Sequence, residues 1–574
     1  MKNLIYIIFP VILIFGCHHA TRQLVDIRID VDRDTFNPVL EPGVTGTISI
    51  EGIYSDGKIE RLNDENIGIG AKTRVASGNV KVISIEGNKL IPGEGGVGII
   101  EAVVIRDGKT FRAERSLVVR PFYREYHQTL VLKLFMGMEG EPVERIAKDP
   151  LFIKPHDVLC TFEEALEVIR KTDNLTRGIP KIIYLVGWQK GGHDHLYPAW
   201  NEVNPRLKRE QDSTALASLR WLILQSVKYN TTVSLHINML DAYTHSPLWD
   251  EYVKKDLLAK DVQGQLLSSG IGIKGNEMYN VVYPLEWKAG LGQRRIDELI
   301  GLVPELKEGH TIQVDVFIAQ RDNGAPISPW HARPENGGLT PDKYVETQRE
   351  IFKYWREKGF DVTGEGILWA HPKGEGFYGL QPFAWWYPND FSLQMQVPEK
   401  LTARGRTNRE NYGDYRFTSS MHGEEIYIKD KETLPDFLGM FCQTTLPWYY
   451  LSQHDREAFA NGVLYYSEGI KAGEENGKKI IRKGEYVLRE DNNLFVEAKW
   501  KEKEIIAYTE TGYDDKRWKM PADWDNIKSV DIYKITLEGP EKLLSNVRIE
   551  NNELTISLDK NMAVSILPSG SDQK

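Results

Sequence analysis

Three rhythms of apolar and polar positions follow one another along the chain. From about Leu24 to Val119, runs such as "GTISIEGIYSDG", "VKVISIEGNKL" and "GIIEAVVIRDGKTF" alternate between the two and are separated by Gly, Asp and Asn turns. A period of two broken by turn residues predicts antiparallel strands in a β-sandwich. From about Tyr123 to Arg456 the candidate strands are "LVLKLFMG", "KIIYLVGW", "TVSLHINM", "YNVVYPL", "TIQVDVFI", "DVTGEGI", "GLQPFAW" and "GMFCQTTLPW". Between several of them lie amphipathic runs, "TFEEALEVIRKT", "TALASLRWLILQSVKY", "GQRRIDELIGLV" and "DKYVETQREIFKYWREKG", with the spacing of helices. Strand and helix alternating in this way predict a (β/α)8 barrel with loop insertions. After about Glu457 the alternation stops, and "GEYVLREDNNLFVEAKWKEKEIIAYTE", "SVDIYKITLEG" and "NELTISLDKNMAVSILPSG" read as a C-terminal antiparallel β-sandwich. No linker-like composition separates it from the barrel, so the two are expected to pack together. The expected fold class is multidomain α/β plus all-β, with a sandwich over 22–121, the barrel over 122–456 and the second sandwich over 457–574.

The first seventeen residues, "MKNLIYIIFPVILIFGC", follow a different pattern: a short basic start, an apolar run too short for a typical spanning helix, then Gly16-Cys17. They resemble a bacterial lipoprotein signal cleaved before Cys17, whose sulfur would carry the lipid; the alternative is an uncleaved anchor. Either predicts a protein of the cell envelope, lipid-anchored and facing the periplasm or the outer surface. Cys160 and Cys442 lie far apart inside apolar stretches, which predicts buried thiols and not a disulfide framework. Net charge is -10, which gives no electrostatic reason to expect nucleic acid. The 14 Trp and 26 Tyr would suit a carbohydrate site, since sugar C–H faces stack on rings, but they would equally fill a core. A monomer is expected. No cofactor is required by any motif, and structural calcium is compatible with the sandwiches although no ligand loop is evident. The glycines of "GEGGVG" have no helix after them and read as a turn.

In a barrel the C-terminal ends of the strands carry the chemistry. Asp315 interrupts the apolar strand "TIQVDVFI" and Glu365 ends the next, "DVTGEGI", with one β/α unit between them. Two carboxylates on one rim are what glycoside hydrolysis demands: one faces the anomeric carbon and the other protonates the leaving oxygen. Either residue alone could equally be structural, Asp315 bonded to loop amides and Glu365 placed in a turn. Further polar residues fall at the same rim. "YLVGWQKGGHDHLYPAW" brings Trp188, His193 and Asp194 to the end of the second strand, and "SLHINMLDAY" brings His236 and Asn238 to the end of the third. Trp369, Trp385, Trp386 and Trp448 follow late strands, where they could be sugar-stacking walls or packing.

These motifs, in this order and at barrel spacing, resemble the catalytic domain of glycoside hydrolase family 101, the endo-α-N-acetylgalactosaminidases, and its clan relatives in family 129. The N-terminal strands, with "IYSDGKIERL" and "NKLIPGEGGVGIIEAVV", resemble a bacterial immunoglobulin-like spacer. The family resemblance implies a retaining α-glycosidase acting on mucin-type O-glycans, with Asp315 as nucleophile and Glu365 as acid/base. It also implies that His193 and Asp194 hold sugar hydroxyls and that His236 and Asn238 line the same subsite. A retaining pair predicts carboxyls about 5 to 5.5 Å apart. A clan exo-α-glycosidase with another terminal sugar, or a surface glycan-binding lipoprotein without catalysis, are the alternatives.

Overall fold

The computed structural model describes residues 22–571 except 32–38, 41–44, 64–66, 77–81, 94–95, 120–121, 140–157, 273–274, 317–326, 365–415, 417–420, 424–432 and 455. The chain divides into two compact units, residues 1–74 with 80–120, and residues 75–79 with 121–574.

The first unit holds two β-sheets. One runs Leu24–Val31, Gly46–Tyr54, Lys89–Pro92, Ile83–Glu86, with Ile59–Arg61 also paired to Gly46–Tyr54; the other runs Val39–Leu40, Lys109–Val119, Gly96–Arg106, Ile67–Ala76. Ile48 and Ile50, at every second position of one strand, are buried, as a strand with one face on a core requires. Arg106 pairs with Lys109 across a two-residue turn, Asp107-Gly108, in which both residues have positive φ. That is the turn whose twist matches the flanking strands.

The second unit is organised by a six-stranded sheet. We number its strands β1 (Leu130–Phe135), β2 (Lys181–Val186), β3 (Thr231–Asn238), β4 (Thr311–Asp315), β5 (Asp361–Gly364) and β6 (Met421–Gly423). Their spatial order is β5-β4-β3-β2-β1-β6, and every neighbouring pair is parallel. Five strands thus lie side by side in chain order and the sixth returns beside the first. β1 and β2 are buried at every position, as expected of parallel strands covered on both faces. Each fully buried Leu or Ile in them contributes about 1.5–3 kcal/mol relative to exposure.

The crossover helices follow the sequence pattern. Helix α1 (Phe162–Leu175) starts at Thr161, which forms a reciprocal capping box with Glu164 and buries Phe162, Ala165, Val168, Ile169, Thr172 and Leu175. Helix α2 (Ala215–Ser226) is capped by the Thr214 side chain, and α3 (Leu291–Leu302) and α4 (Pro341–Glu357) follow among the described residues.

Two of the expected barrel strands are something else. "YNVVYPL" is not a barrel strand: Glu277–Asn280 pairs antiparallel with Asp241–Tyr243 and with Ser268–Ile271, and Tyr283–Lys288 is helical. This ribbon is an insertion between β3 and α3. "GMFCQTTLPW" is helical throughout, Thr433–Met440 and Leu446–Leu451 joined by a π-helical turn at Phe441–Thr445. Its aromatic and β-branched residues suggest a strand, but they are buried on a helix under the C-terminal sheet, where tertiary packing overrides local propensity. "GLQPFAW" lies outside the described residues.

The C-terminal region is a ten-stranded antiparallel sheet with Arg456–Ala460 at one edge and Gly539–Arg548 at the other, plus a two-stranded ribbon of Tyr513–Lys519 and Glu553–Leu558. The expected sandwich is therefore one large sheet with a small ribbon over it, where Trp518 stacks on Phe495 with centroids 5.2 Å apart. As the absence of a linker suggests, this sheet packs on the α/β part. Arg177, just past α1, is 2.5 Å from Glu504, which also accepts from Ser565 at 2.6 Å. Trp500 donates to the Arg177 carbonyl at 3.0 Å and packs against Phe441 and Tyr449.

Candidate active site

Asp315 is the last residue of β4 and is buried. Strand register sets it beside Asn238 at the end of β3. Val316, next in the chain, has φ +41, a conformation rare for a β-branched residue. Backbone strain of this kind gathers at functional sites.

Among the described residues, two side chains hold the Asp315 carboxylate. Lys133 of β1 places Nζ 3.5 Å from Oδ1, and His236 of β3 places Nε2 3.2 Å from Oδ2. Burial alone would push this carboxyl up, but Lys133, His236 and His193 outweigh it and hold it well below the usual carboxylate range. His236 is itself pushed down to about 4, by burial first and against the pull of Asp315. At neutral pH it is therefore uncharged and contributes a hydrogen bond, and the cationic partner is Lys133.

The glycine-rich loop after β2 supplies the second carboxyl. His193 donates its backbone N–H to the Gly137 carbonyl at 2.9 Å. Gly187 and Gly192 both have positive φ, and a Cβ on Gly192 would sit 2.6 Å from the Gly137 oxygen, so the loop can approach the end of β1 only without side chains there. This fold-back sets the His193 ring edge-on to His236, centroids 5.3 Å apart, with Asp194 Oδ1 3.4 Å from His193 Nδ1. The Asp194 carboxyl is pushed up to about 8 by burial and by the negative charge of Asp315, against the opposing pull of Lys133. One carboxyl of this pair is ionised and the other protonated at neutral pH, the division of roles expected of neighbouring acids in one site.

The structure thus brings Asp315, His236, His193 and Asp194 together. Trp188 and Asn238 take a different part. Trp188 is fully buried and donates Nε1 to the His236 carbonyl at 2.9 Å, so it braces β3 and presents no stacking face. Asn238 is fully buried too: it donates to Asp241 at 2.7 Å and accepts from the backbone of Leu240 and Asp241, fixing the turn into the ribbon. Trp448 is buried in the helix Leu446–Leu451 and forms no wall. Glu365, Trp369, Trp385 and Trp386 lie outside the described residues. Register pairs Val314 with Gly364, the residues immediately before Asp315 and Glu365.

The sequence reading missed Lys133. Its signal was of the same kind as that of Asp315: a charge inside an apolar strand, "LVLKLF", which is tolerated in a core only beside an opposite charge. It also missed Tyr197 and Tyr243, buried phenols held well above the usual range by burial first and by the charges of Asp194 and Asp315. Among the described residues no cluster of His, Cys, Asp and Glu could hold a metal ion.

Four residues of this cluster lie within a segment that a known family model matches. Residues 155–336 match the family model described as endo-α-N-acetylgalactosaminidase, glycoside hydrolase family 101. The recognition made from the motifs is borne out over that segment, which holds His193, Asp194, His236 and Asp315. The family 101 match supports a glycosidase acting on carbohydrate. No curated protein matches the chain. Among solved structures, the chain is similar to the α-N-acetylgalactosaminidase NagBb from Bifidobacterium bifidum in complex with GalNAc, at 11% identity and TM-score 0.44, covering 80% of this chain and 92% of that one. It is also similar to the type III pullulan hydrolase from Thermococcus kodakarensis, at 10% identity and TM-score 0.40 over 94% and 100% of the two chains.

Proposed function

We propose that this protein is a retaining α-glycosidase that removes α-linked N-acetylgalactosamine, alone or within a disaccharide, from mucin-type O-glycans. The observation that carries this reading is Asp315: a buried carboxylate at the end of a parallel strand, inside the family 101 segment, kept ionised by Lys133 and His236. An α-linked 2-acetamido sugar cannot supply its own nucleophile, because that group lies on the face of the leaving oxygen. The protein must attack from the opposite face. In the proposed reaction Asp315 attacks the anomeric carbon while Glu365 protonates the leaving oxygen; Glu365 then deprotonates the water that hydrolyses the glycosyl ester, with net retention. His193 and Asp194 would hold sugar hydroxyls. Winding of β1 to β5 in chain order, with β6 returning beside β1, supports a closed (β/α)8 barrel around this site. The N-terminal sheets would be an immunoglobulin-like spacer behind a lipid anchored on Cys17, a reading that rests on the signal-like first seventeen residues.

The test is turnover of aryl α-glycosides of N-acetylgalactosamine and of galactosyl-β-1,3-N-acetylgalactosamine by wild type and by Asp315→Asn. Disaccharide release that falls by about 10³-fold or more in the variant supports the endo reading, and monosaccharide release the exo one. Cleavage of neither substrate by wild type overturns the sugar assignment, and full activity in Asp315→Asn overturns the mechanism.

A further inference from the structure

The loop that carries His193 and Asp194 is a long excursion from β2 whose two limbs run antiparallel. Gln189 bridges to Val203, and Lys190 donates its backbone N–H to the Glu202 carbonyl at 2.9 Å. On the outward limb, the His193 N–H is fixed on the Gly137 carbonyl at the end of β1. Asp194, the next residue, has φ +53. Aspartate tolerates that left-handed region better than most residues, but such a conformation persists only where its flanks over-determine it. Gly137 fixes one flank. The other runs from Tyr197 to Trp200, and it is held by the segment between β3 and β4. Tyr243 donates its N–H to the Tyr197 carbonyl at 2.9 Å. Arg295 of α3 then meets the flank in three ways: Nη1 donates to the Pro198 carbonyl at 2.8 Å, its own carbonyl accepts from Trp200 Nε1 at 3.1 Å, and its guanidinium lies 4.1 Å from the Trp200 ring centroid. Arg295 is buried, with Nη2 2.6 Å from Glu286 Oε1, and that buried carboxylate also accepts from the Tyr252 hydroxyl. A buried ion pair is weak evidence of stability, since apolar residues of similar volume often replace one without loss. What they lack is the planar fork, which Glu286 orients on one side so that the other aims at Pro198.

We propose that Arg295 is a positioning residue of the sugar site: through Pro198 and Trp200 it fixes the return limb of the loop and so holds Asp194 in place. The inference rests on the reading that His193 and Asp194 hold the sugar. Arg295 itself acts at a distance, through the loop, and its partners Glu286 and Tyr252 act through it. Helix α3 precedes β4, the strand that ends at Asp315, so the clamp sets the sugar-holding loop against the β/α unit that carries the nucleophile.

Two variants of the full chain test this. Arg295→Lys keeps a charge beside Glu286 but loses the fork, and Arg295→Met/Glu286→Leu removes both charges while filling the core. In each, peptides spanning residues 188–204 are expected to exchange backbone hydrogens about tenfold faster than in wild type or more, with peptides from β1 and β2 unchanged, as read by mass spectrometry. Unchanged exchange in the loop overturns the clamp, and so does protection lost evenly over loop and sheet or a failure of both variants to fold, which would make Arg295 a core residue only. Turnover of the aryl α-glycoside of N-acetylgalactosamine adds the sugar. Arg295→Lys is expected to lower kcat/KM by about tenfold or more, mainly through KM, and the fall is expected to shrink to within about threefold in an Asp194→Asn background. Equal falls in both backgrounds overturn the route through Asp194. If wild type cleaves no glycoside, the sugar reading fails, and hydrogen exchange still decides whether Arg295 holds the loop.

Discussion

Lys133 and Asp315 are each costly to bury and each lowers the cost of burying the other, so substitution of either should reveal the other. Lys133→Met removes the cation that lowers the Asp315 carboxyl against the effect of burial, and the carboxyl rises. Activity that requires an ionised Asp315 then fails at higher pH: the acid limb of kcat/KM is expected to move towards neutrality by about one pH unit or more. Asp194 has the opposite sign. Its folded value of about 8 lies above the ordinary carboxyl range, so from about pH 4 to 8 the unfolded chain binds fewer protons than the folded one, and stability falls as pH rises. Asp194→Asn removes that slope. It is expected to gain about 1–3 kcal/mol at pH 8 and almost nothing at pH 4, seen in urea midpoints at the two values. The sequence made Asp315 legible because a charge stood where the pattern called for an apolar side chain. "LVLKLF" offered the same anomaly, but strand pairing, which brings residues 182 positions apart to 3.5 Å, is not written in local pattern.

At the scale of elements, the loop after β2 is held by absence of side chains. Gly192→Ala places a methyl 2.6 Å from the Gly137 oxygen at a backbone conformation that L-residues seldom adopt. A stability loss of about 2–4 kcal/mol is expected, with activity falling further as His193 and Asp194 move; thermal melts and kcat/KM on the same preparation check both. The motif "GWQKGGHD" was readable as a strand end bearing polar residues, and its histidine packs edge-on against His236, the partner of Asp315, with its aspartate beside it. The roles of Trp188 and Asn238 were not readable, because both residue types serve equally as sugar contacts and as buried braces. Parallel strands such as "KIIYLV", buried on both faces, were legible as continuous apolar runs. "YNVVYPL" is apolar over a similar length but ends an antiparallel ribbon and begins a short helix, a difference set by its partners.

For the whole molecule, the strongest prediction lies where the C-terminal sheet meets α1. Glu504 is almost fully buried against Arg177 and Ser565. Arg177→Met leaves its carboxylate buried without that cation and is expected to cost about 3–5 kcal/mol, measured by chemical denaturation. The change of rhythm near Glu457 falls where the strands of the C-terminal sheet begin. It said nothing of how intimate the junction would be, since a packed junction and a hinged one can share one composition. That junction has a practical consequence. Residue 456 looks like a natural place to cut the gene, but a truncation there would strip Trp500 and Glu504 from Arg177 and uncover Phe441 and Tyr449. Expression trials that keep only the α/β portion should yield inclusion bodies, whereas clones extended through Pro568 should stay in the supernatant.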